Sequence, residues 1–126
     1  STWSRLMLKY DAPCLIEGTA EAEPVAGLHL PAAARPIGKT ANSAFLRTNF
    51  EQELRALKVE RLLLAGAFID GCVGLTAADA AQRGFEVAIV EDAIACCNVA
   101  HRAAILEWLV AMYELTLVKS DAGCAA

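Results

Sequence analysis

The feature that most constrains the fold is a regular change of hydrophobic pattern after Lys39. Segments typical of an amphipathic helix alternate three times with short apolar runs typical of a buried strand. In chain order the helices are predicted over 48–59, 72–84 and 98–114, and the strands over 61–68, 85–92 and 115–120. Strands that alternate with helices join through right-handed crossovers into a parallel sheet. We therefore predict an α/β fold.

The first part of the chain has a different composition. Residues 1–38 hold all four prolines and three of the glycines, so we predict loop with short ordered pieces there. Residues 39–126 form the core, and 1–126 together make one domain, because 126 residues suit a single core. Thr48 and Glu51 have the spacing of a helix capping box, and Gly84 suits the end of the helix over 72–84.

Charge and cysteine usage exclude several classes of protein. A net charge of −4 with no basic cluster argues against nucleic acid as a partner. The sequence has neither a secretory signal pattern nor an uncharged apolar run of the ~18 residues that span a bilayer, so no membrane partner is expected. Five irregularly spaced cysteines favour neither a disulfide framework nor zinc, which indicates a cytoplasmic setting with no metal and no cofactor. The cysteines are Cys14, Cys72, Cys96, Cys97 and Cys124.

Cys72 lies where a predicted strand gives way to a predicted helix. Functional groups of open parallel sheets gather at the carboxyl ends of the strands. The helix N-terminus supplies a partial positive charge and unpaired N–H groups, which favour a thiolate and stabilise an oxyanion. Gly71 and Gly74 are expected to leave room for a substrate beside the sulfur. Position alone leaves open whether Cys72 is a nucleophile or a small buried hydrophobic residue.

Three motifs in the same order and spacing resemble the cysteine-hydrolase branch of the isochorismatase-like superfamily. The segments are 38–57 ("GKTANSAFLRTNFEQELRAL"), 62–95 and 91–106 ("EDAIACCNVAHRAAIL"). The central segment contains the Asp-x-Cys-Val and Thr-x-x-Asp-Ala patterns after a strand and a glycine. Its matching residues are Gly66, Asp70, Cys72, Val73, Thr76, Asp79 and Ala80, and those of the first segment are Lys39, Ser43, Ala44, Phe45 and Thr48.

The resemblance implies hydrolysis of an amide, ureide or related C–N bond through a thioester, carried out by cysteine, lysine and aspartate. Cys72 matches the nucleophile and Lys39 the lysine, whose ammonium would favour the thiolate. It also implies a cis peptide at Ala67–Phe68, which would aim the Phe68 N–H, with that of Cys72, at the oxyanion. The residues expected to line the substrate pocket are Trp3, Asn42, Phe45 and Ile69, although core packing is an equal alternative for the aromatic ones.

Other polar residues of these motifs are expected to have structural roles. The side chain of Asp70 is predicted to organise its loop, and Thr76 and Asp79 to pack or cap their helix. His101 is expected to be a structural hydrogen-bonding residue. The Asp-x-His…His zinc pattern of some nicotinamidase-like relatives has no match in the sequence.

The family's catalytic aspartate follows a first strand that has no counterpart here, and Asp11 follows no apolar run. The chain resembles the C-terminal two-thirds of a three-layer αβα hydrolase with the Rossmann-like strand order 3-2-1-4-5-6. We expect a separate polypeptide or cleaved N-terminal segment to supply the first strand and its aspartate, with further assembly into a homo-oligomer. A non-catalytic binding or assembly domain remains an alternative, as does a redox thiol protein that uses Cys72 with Cys96 or Cys97.

Overall fold

The computed structural model describes residues 2–121, without the side chains of Thr2, Trp3 and Leu6. Its helices and strands follow one another in the predicted alternation after an N-terminal segment. The elements are α1 (Thr2–Tyr10), a 3-10 helix (Ala20–Ala22), α2 (Phe50–Ala56), β1 (Arg61–Gly66), α3 (Cys72–Gln82), β2 (Glu86–Ile94), α4 (Val99–Tyr113) and β3 (Thr116–Val118).

The three strands form one parallel sheet in the order β1-β2-β3. Leu62 of β1 lies opposite Val87 of β2, and Val90 of β2 lies opposite Val118 of β3. Each pair of neighbouring strands is joined by a helix, as the crossover between two parallel strands requires. The α/β class predicted from the alternating pattern is therefore confirmed, and the strands follow the order of the last three in 3-2-1-4-5-6.

The helix ends agree with the sequence in one case and differ in another. After α3 the chain turns at Gly84, whose φ of +81° is the left-handed conformation that glycine adopts at little cost. The capping box predicted for α2 is wrong. The Thr48 hydroxyl accepts from the Phe50 N–H at 3.2 Å and donates to the Ala44 carbonyl, whereas the Glu51 carboxylate pairs with Arg83. Because α2 begins at Phe50 with Asn49 as its N-cap, Thr48 and Glu51 do not occupy the two capping-box positions.

The N-terminal segment, which is predicted as loop with short ordered pieces, contains two short helices. Residues 2–10 form a nine-residue helix, α1, before the first proline, Pro13. Beyond it, the short 3-10 helix is joined by turns and bends, and most side chains of this segment are exposed. No helix within residues 2–121 is long and apolar enough to cross a membrane.

The core lies where α3 packs against β1, β2 and α4. Its largest fully buried side chains are Ile69, Ile89 and Leu109. Leu106 and Leu109 provide the inner face of α4, whereas Val110 of the same helix is 38% exposed. Burial of aliphatic side chains is the main stabilising contribution in such a core, at about 1.5–3 kcal/mol for each.

The absent side chain of Gly74 makes room for backbone and not, as predicted, for a substrate. A Cβ built on Gly74 would lie 2.2 Å from the Ile69 carbonyl oxygen, far inside the van der Waals contact distance. This close approach lets the chain pass from β1 through the buried Ile69 and into α3. Gly71 has no comparably tight neighbour, since its nearest contact would be the Phe68 carbonyl at 3.8 Å.

One edge of the sheet is open. Within residues 2–121, β1 pairs only with β2, so the backbone groups on its other side lack a strand partner. Leu63 in the middle of β1 is 53% exposed, although Leu62 beside it is buried. An apolar edge strand of this kind is a surface that natural proteins cover or protect.

Candidate active site

Cys72 is the first residue of α3, close after the carboxyl end of β1, as predicted. Its side chain is half-buried. The first N–H groups of a helix have no acceptor within the helix, and the helix dipole places partial positive charge there. The sulfur of Cys72 therefore lies in an environment that favours negative charge and that small molecules can reach.

Lys39 and Asn42 both reach the sulfur from the loop before α2. The Lys39 ammonium donates to the Cys72 Sγ at 3.3 Å and to the Ala41 carbonyl at 2.8 Å. The Asn42 Oδ1 lies 3.5 Å from the Cys72 Sγ, where it can accept the proton of the neutral thiol. The structure thus brings two loop residues to a cysteine that lies 33 and 30 positions farther along the sequence, and it pairs a cation with the only ionisable sulfur on α3.

The loop between β1 and α3 contains the cis peptide bond expected at Ala67–Phe68. The Phe68 carbonyl accepts from the N–H groups of Gly71 and Val73, both at 3.0 Å. These two bonds fold the loop tightly around the start of α3 and hold Phe68 next to Cys72. The use of the Phe68 and Cys72 N–H groups as oxyanion donors remains a prediction.

Two of the residues predicted to line a substrate pocket lie in the core instead. Ile69 is 1% exposed, and its N–H donates to the Ala95 carbonyl at 2.9 Å. The Phe45 ring packs on Phe50 and Phe85, with centroid distances of 5.0 and 6.0 Å. Both side chains therefore pack in the core, and a role for either of them in a substrate pocket stays a prediction. The side chain of Trp3 lies outside the described residues, so of the four predicted lining residues Asn42 is the one placed at the sulfur.

Asp70 organises the loop around Cys72, as its sequence position indicated. Its two carboxylate oxygens accept from the N–H groups of Cys97 and Asn98, each at 2.9 Å. These hydrogen bonds hold the pKa of Asp70 below its ordinary value of 3.8, because they stabilise the ionised carboxylate. Asp70 thereby joins the loop after β1 to the loop after β2.

This pairing predicts an acid-dependent contribution to stability. Since the folded state lowers the pKa of Asp70, its contribution is complete above pH 3.8 and is lost as the pH falls through the lower, folded value. We expect Asp70→Asn to unfold at lower urea concentration than wild type at pH 7. The difference between the two midpoints should shrink progressively below pH 3.8. A difference that is unchanged down to the acid transition would contradict this role.

Three residues missed by the search for catalytic groups anchor the Lys39 loop to α3. The Ser43 hydroxyl donates to the Asp79 carboxylate, and the Thr76 hydroxyl accepts from the Ala44 N–H at 3.0 Å. Ser43 and Thr76 are each 8% exposed, so these are buried contacts. The signal in the sequence was the Ser-Ala-Phe motif itself, whose serine has no role in the expected chemistry.

The remaining histidine and cysteine candidates do not form a second centre. His101 Nε2 lies 3.2 Å from the Asn98 side-chain amide at the start of α4, a structural contact. The Cys96 thiol donates to the Asn98 carbonyl at 3.0 Å, and partial burial with the nearby Asp70 carboxylate raises the pKa of Cys96. The four cysteines that the structure describes are free thiols. Residues 2–121 contain no cluster of three histidine, cysteine or acidic side chains suited to hold a metal ion.

Known proteins resemble this chain in sequence and in fold. A model of the isochorismatase domain matches residues 2–119. The uncharacterized isochorismatase family protein PncA of Bacillus subtilis is 42% identical over 60 residues, which are 48% of this chain and 33% of that protein. The chain thus spans about a third of the length of this curated relative.

Solved structures extend the likeness to nearly the whole chain. N-carbamoylsarcosine amidase from Thermoplasma acidophilum superposes with a TM-score of 0.81 and 28% identity, over 91% of this chain and 65% of the amidase. Nicotinamidase/pyrazinamidase PncA from Bacillus subtilis superposes with a TM-score of 0.79 and 29% identity, over 85% of this chain and 62% of that enzyme. These matches confirm the α/β three-layer class. Because the family model covers almost all of the described residues, the chain belongs to the isochorismatase family.

Proposed function

We propose that this chain carries the nucleophile of a hydrolase that cleaves the C–N bond of a small amide or ureide through a thioester on Cys72. The observation that carries the proposal is the 3.3 Å contact between the Lys39 ammonium and the Cys72 sulfur at the start of α3. A cation and a helix N-terminus both stabilise the thiolate, which is the reactive form of cysteine. Family membership supports the same chemistry, since two structural relatives are named as an amidase and a nicotinamidase.

In the proposed reaction the Cys72 thiolate attacks the carbonyl carbon of the substrate. The N–H groups of Cys72 and Phe68 stabilise the resulting oxyanion. The C–N bond then breaks, and a carboxylic acid gives its proton to the departing nitrogen, which leaves as ammonia or an amine. Water, deprotonated by the carboxylate left behind, attacks the thioester. This step releases the carboxylic or carbamic acid and regenerates the thiolate.

The acid of this mechanism is proposed to come from outside the described residues. The two aspartates nearest to Cys72 in sequence are both engaged: Asp70 accepts two backbone N–H groups, and Asp79 binds Ser43 and Arg83. The open edge of β1 offers the place for the missing group. A strand of a second polypeptide or of a cleaved N-terminal segment, paired to β1 and ending in aspartate, would deliver a carboxylate near the carboxyl end of β1.

The proposed substrate class is supported by the polar and apolar groups beside the sulfur. Asn42 and Lys39 provide polar contacts beside the sulfur, and the half-exposed Phe68 offers an apolar surface. Such a site suits a small carboxamide or ureide whose carbonyl lies next to a compact group. The compounds named for the relatives, nicotinamide and N-carbamoylsarcosine, are examples of these two kinds.

A survey of ammonia release tests this function. The protein, isolated with any polypeptide that co-purifies, is incubated with nicotinamide, pyrazinamide, N-carbamoylsarcosine and simple aliphatic amides. We expect turnover of at least one carboxamide or ureide and no cleavage of peptides. Complete inactivity of an assembly shown to contain a strand on the β1 edge would favour the alternative, a non-catalytic assembly domain. The two engaged aspartates are the observation that keeps this alternative open.

A further inference from the structure

Three side chains of α3 and that of the next residue, Arg83, lie on one stripe of the helix. They are separated by four, three and four positions, which brings them to the same face: Cys72, Thr76, Asp79 and Arg83. Each of them contacts the loop that carries Lys39. The helix that presents the sulfur is therefore also the surface on which this loop is docked.

The contacts extend from the start of α3 to the residue after its end. Lys39 and Asn42 reach Cys72, and the Ala44 N–H donates to Thr76. Ser43 reaches farther along the helix, to Asp79, and the Phe45 ring lies 4.7 Å from the Arg83 guanidinium. The loop over residues 39–45 is thus held against α3 at residues 43–45, and the Lys39 ammonium lies at the start of the helix.

Asp79 accepts hydrogen bonds through both of its carboxylate oxygens. One carboxylate oxygen of Asp79 accepts from the Ser43 hydroxyl, which itself accepts from the Phe45 N–H at 3.2 Å. The other oxygen accepts from Arg83 at 2.9 Å. Ser43 is buried, whereas the Lys39 side chain is long, flexible and exposed. The buried Ser43 fixes the backbone of the loop, and the position of this backbone sets how closely the Lys39 ammonium can approach the sulfur.

We propose that Asp79 is a positioning residue, which acts through Ser43 to hold the Lys39 ammonium against the Cys72 sulfur. The inference rests on the proposed function, in which Lys39 stabilises the thiolate. The replacement of Asp79 has two effects of opposite sign on the Cys72 thiolate. Removal of the Asp79 negative charge would by itself favour the thiolate. Loss of the Lys39 contact disfavours it, so a decrease in thiolate reactivity identifies positioning as the dominant effect.

The test is the pH profile of Cys72 alkylation by iodoacetamide, followed by peptide mass mapping so that the other thiols do not contribute. Lys39→Ala is expected to slow alkylation at pH 7 by roughly three- to tenfold, since a tenfold loss of thiolate corresponds to one pH unit. Asp79→Ala and Ser43→Ala should slow it by a similar factor and move the profile to higher pH. Asp79→Asn keeps an acceptor for Ser43 and should retain most of the wild-type rate.

Two controls separate positioning from general loosening. Glu51→Gln removes a different carboxylate partner of Arg83, 3.0 Å from its Nε, and should leave the profile unchanged. In the Lys39→Ala background, Asp79→Ala should cause no further slowing, because residues that act through one another are not additive. Circular dichroism checks the fold. If Asp79→Ala does not fold, Ser43→Ala and Asp79→Asn carry the comparison.

The outcomes are distinguishable. Slow alkylation in Lys39→Ala together with wild-type profiles in Asp79→Ala and Ser43→Ala would overturn the positioning role and leave the proposed function intact. Equal slowing in Glu51→Gln would also overturn it, because general loosening would then explain the effect. An unchanged profile in Lys39→Ala would remove Lys39 from the proposed chemistry, and the role of Asp79 with it.

Discussion

Replacement of Cys72 by alanine is expected to lower amide hydrolysis by at least about 10⁴-fold, because no thioester can form without the sulfur. The fold should be kept. Cys72 occupies the first position of α3, and alanine is well tolerated there because it favours the helix and adds no bulk. Ammonia release measures the activity, and thermal unfolding measures the stability of the same preparation.

Two further variants make this prediction specific. Cys72→Ser places a weaker nucleophile in the same position, so it should retain only traces of activity and accumulate bound substrate. Cys97→Ala removes an exposed thiol but keeps the backbone N–H that binds Asp70, so its activity should match wild type. Wild-type activity in Cys72→Ala would exclude Cys72 as the nucleophile and with it the proposed mechanism.

The second large effect concerns the open edge of β1. We expect the chain to occur in solution with a strand paired to this edge and, by family resemblance, within a homo-oligomer. The chain separated from such a partner should aggregate or self-associate. An unpaired strand with a 53%-exposed Leu63 presents both backbone groups and apolar surface to other chains. Light scattering after size exclusion measures the assembly, and intact mass identifies any second polypeptide.

Hydrogen exchange locates the contact on the strand itself. In a parallel sheet, alternate N–H groups of an edge strand point away from its one neighbour. In the intact assembly every N–H of β1 should exchange slowly. In the separated chain, alternate ones should exchange fast while those bound to β2 stay protected. A stable, monodisperse monomer whose alternate β1 amides exchange freely would contradict the proposed partner.

Much of the fold was predictable because it depends on local pattern. The all-apolar run after Arg61 predicted β1, and its junction with the next helix placed Cys72 at the carboxyl end of a strand. Motif resemblance also anticipated that Lys39 would be near the sulfur and that Ala67–Phe68 would be cis. The strand and the position of Cys72 follow from local sequence pattern, whereas the Lys39 contact and the cis peptide follow from the motif resemblance.

The burial of Phe45 and Ile69 depends on contacts between distant segments. The Phe45 ring packs on Phe50 and Phe85, and the N–H of the buried Ile69 donates to Ala95. The sequence predicts space for a substrate at Gly74, whereas a carbonyl oxygen fills that space. The hydrophobic period of a segment predicts which face of a helix or strand is buried, but not which distant side chains pack against that face.

The pairing of Ser43 with Asp79 illustrates the same limit. Each residue alone fits a common local role, a turn serine and a helical aspartate, and neither role indicates the other. Only the docking of the loop onto α3 brings their side chains into hydrogen-bond contact. Motif resemblance therefore predicted that Lys39 lies near Cys72, whereas the contact between Ser43 and Asp79 becomes visible only in the packed structure.

A mass measurement shows whether the sulfur of Cys72 forms a bond with the substrate carbonyl carbon. The active assembly is mixed with an amide substrate, quenched in acid during the first turnover, and digested for peptide mapping. We expect the peptide containing Cys72 to gain the mass of the substrate acyl group less one hydrogen, and hydroxylamine to remove that acyl group. An acyl group on another residue, or turnover with Cys72 never acylated, would contradict the proposed thioester.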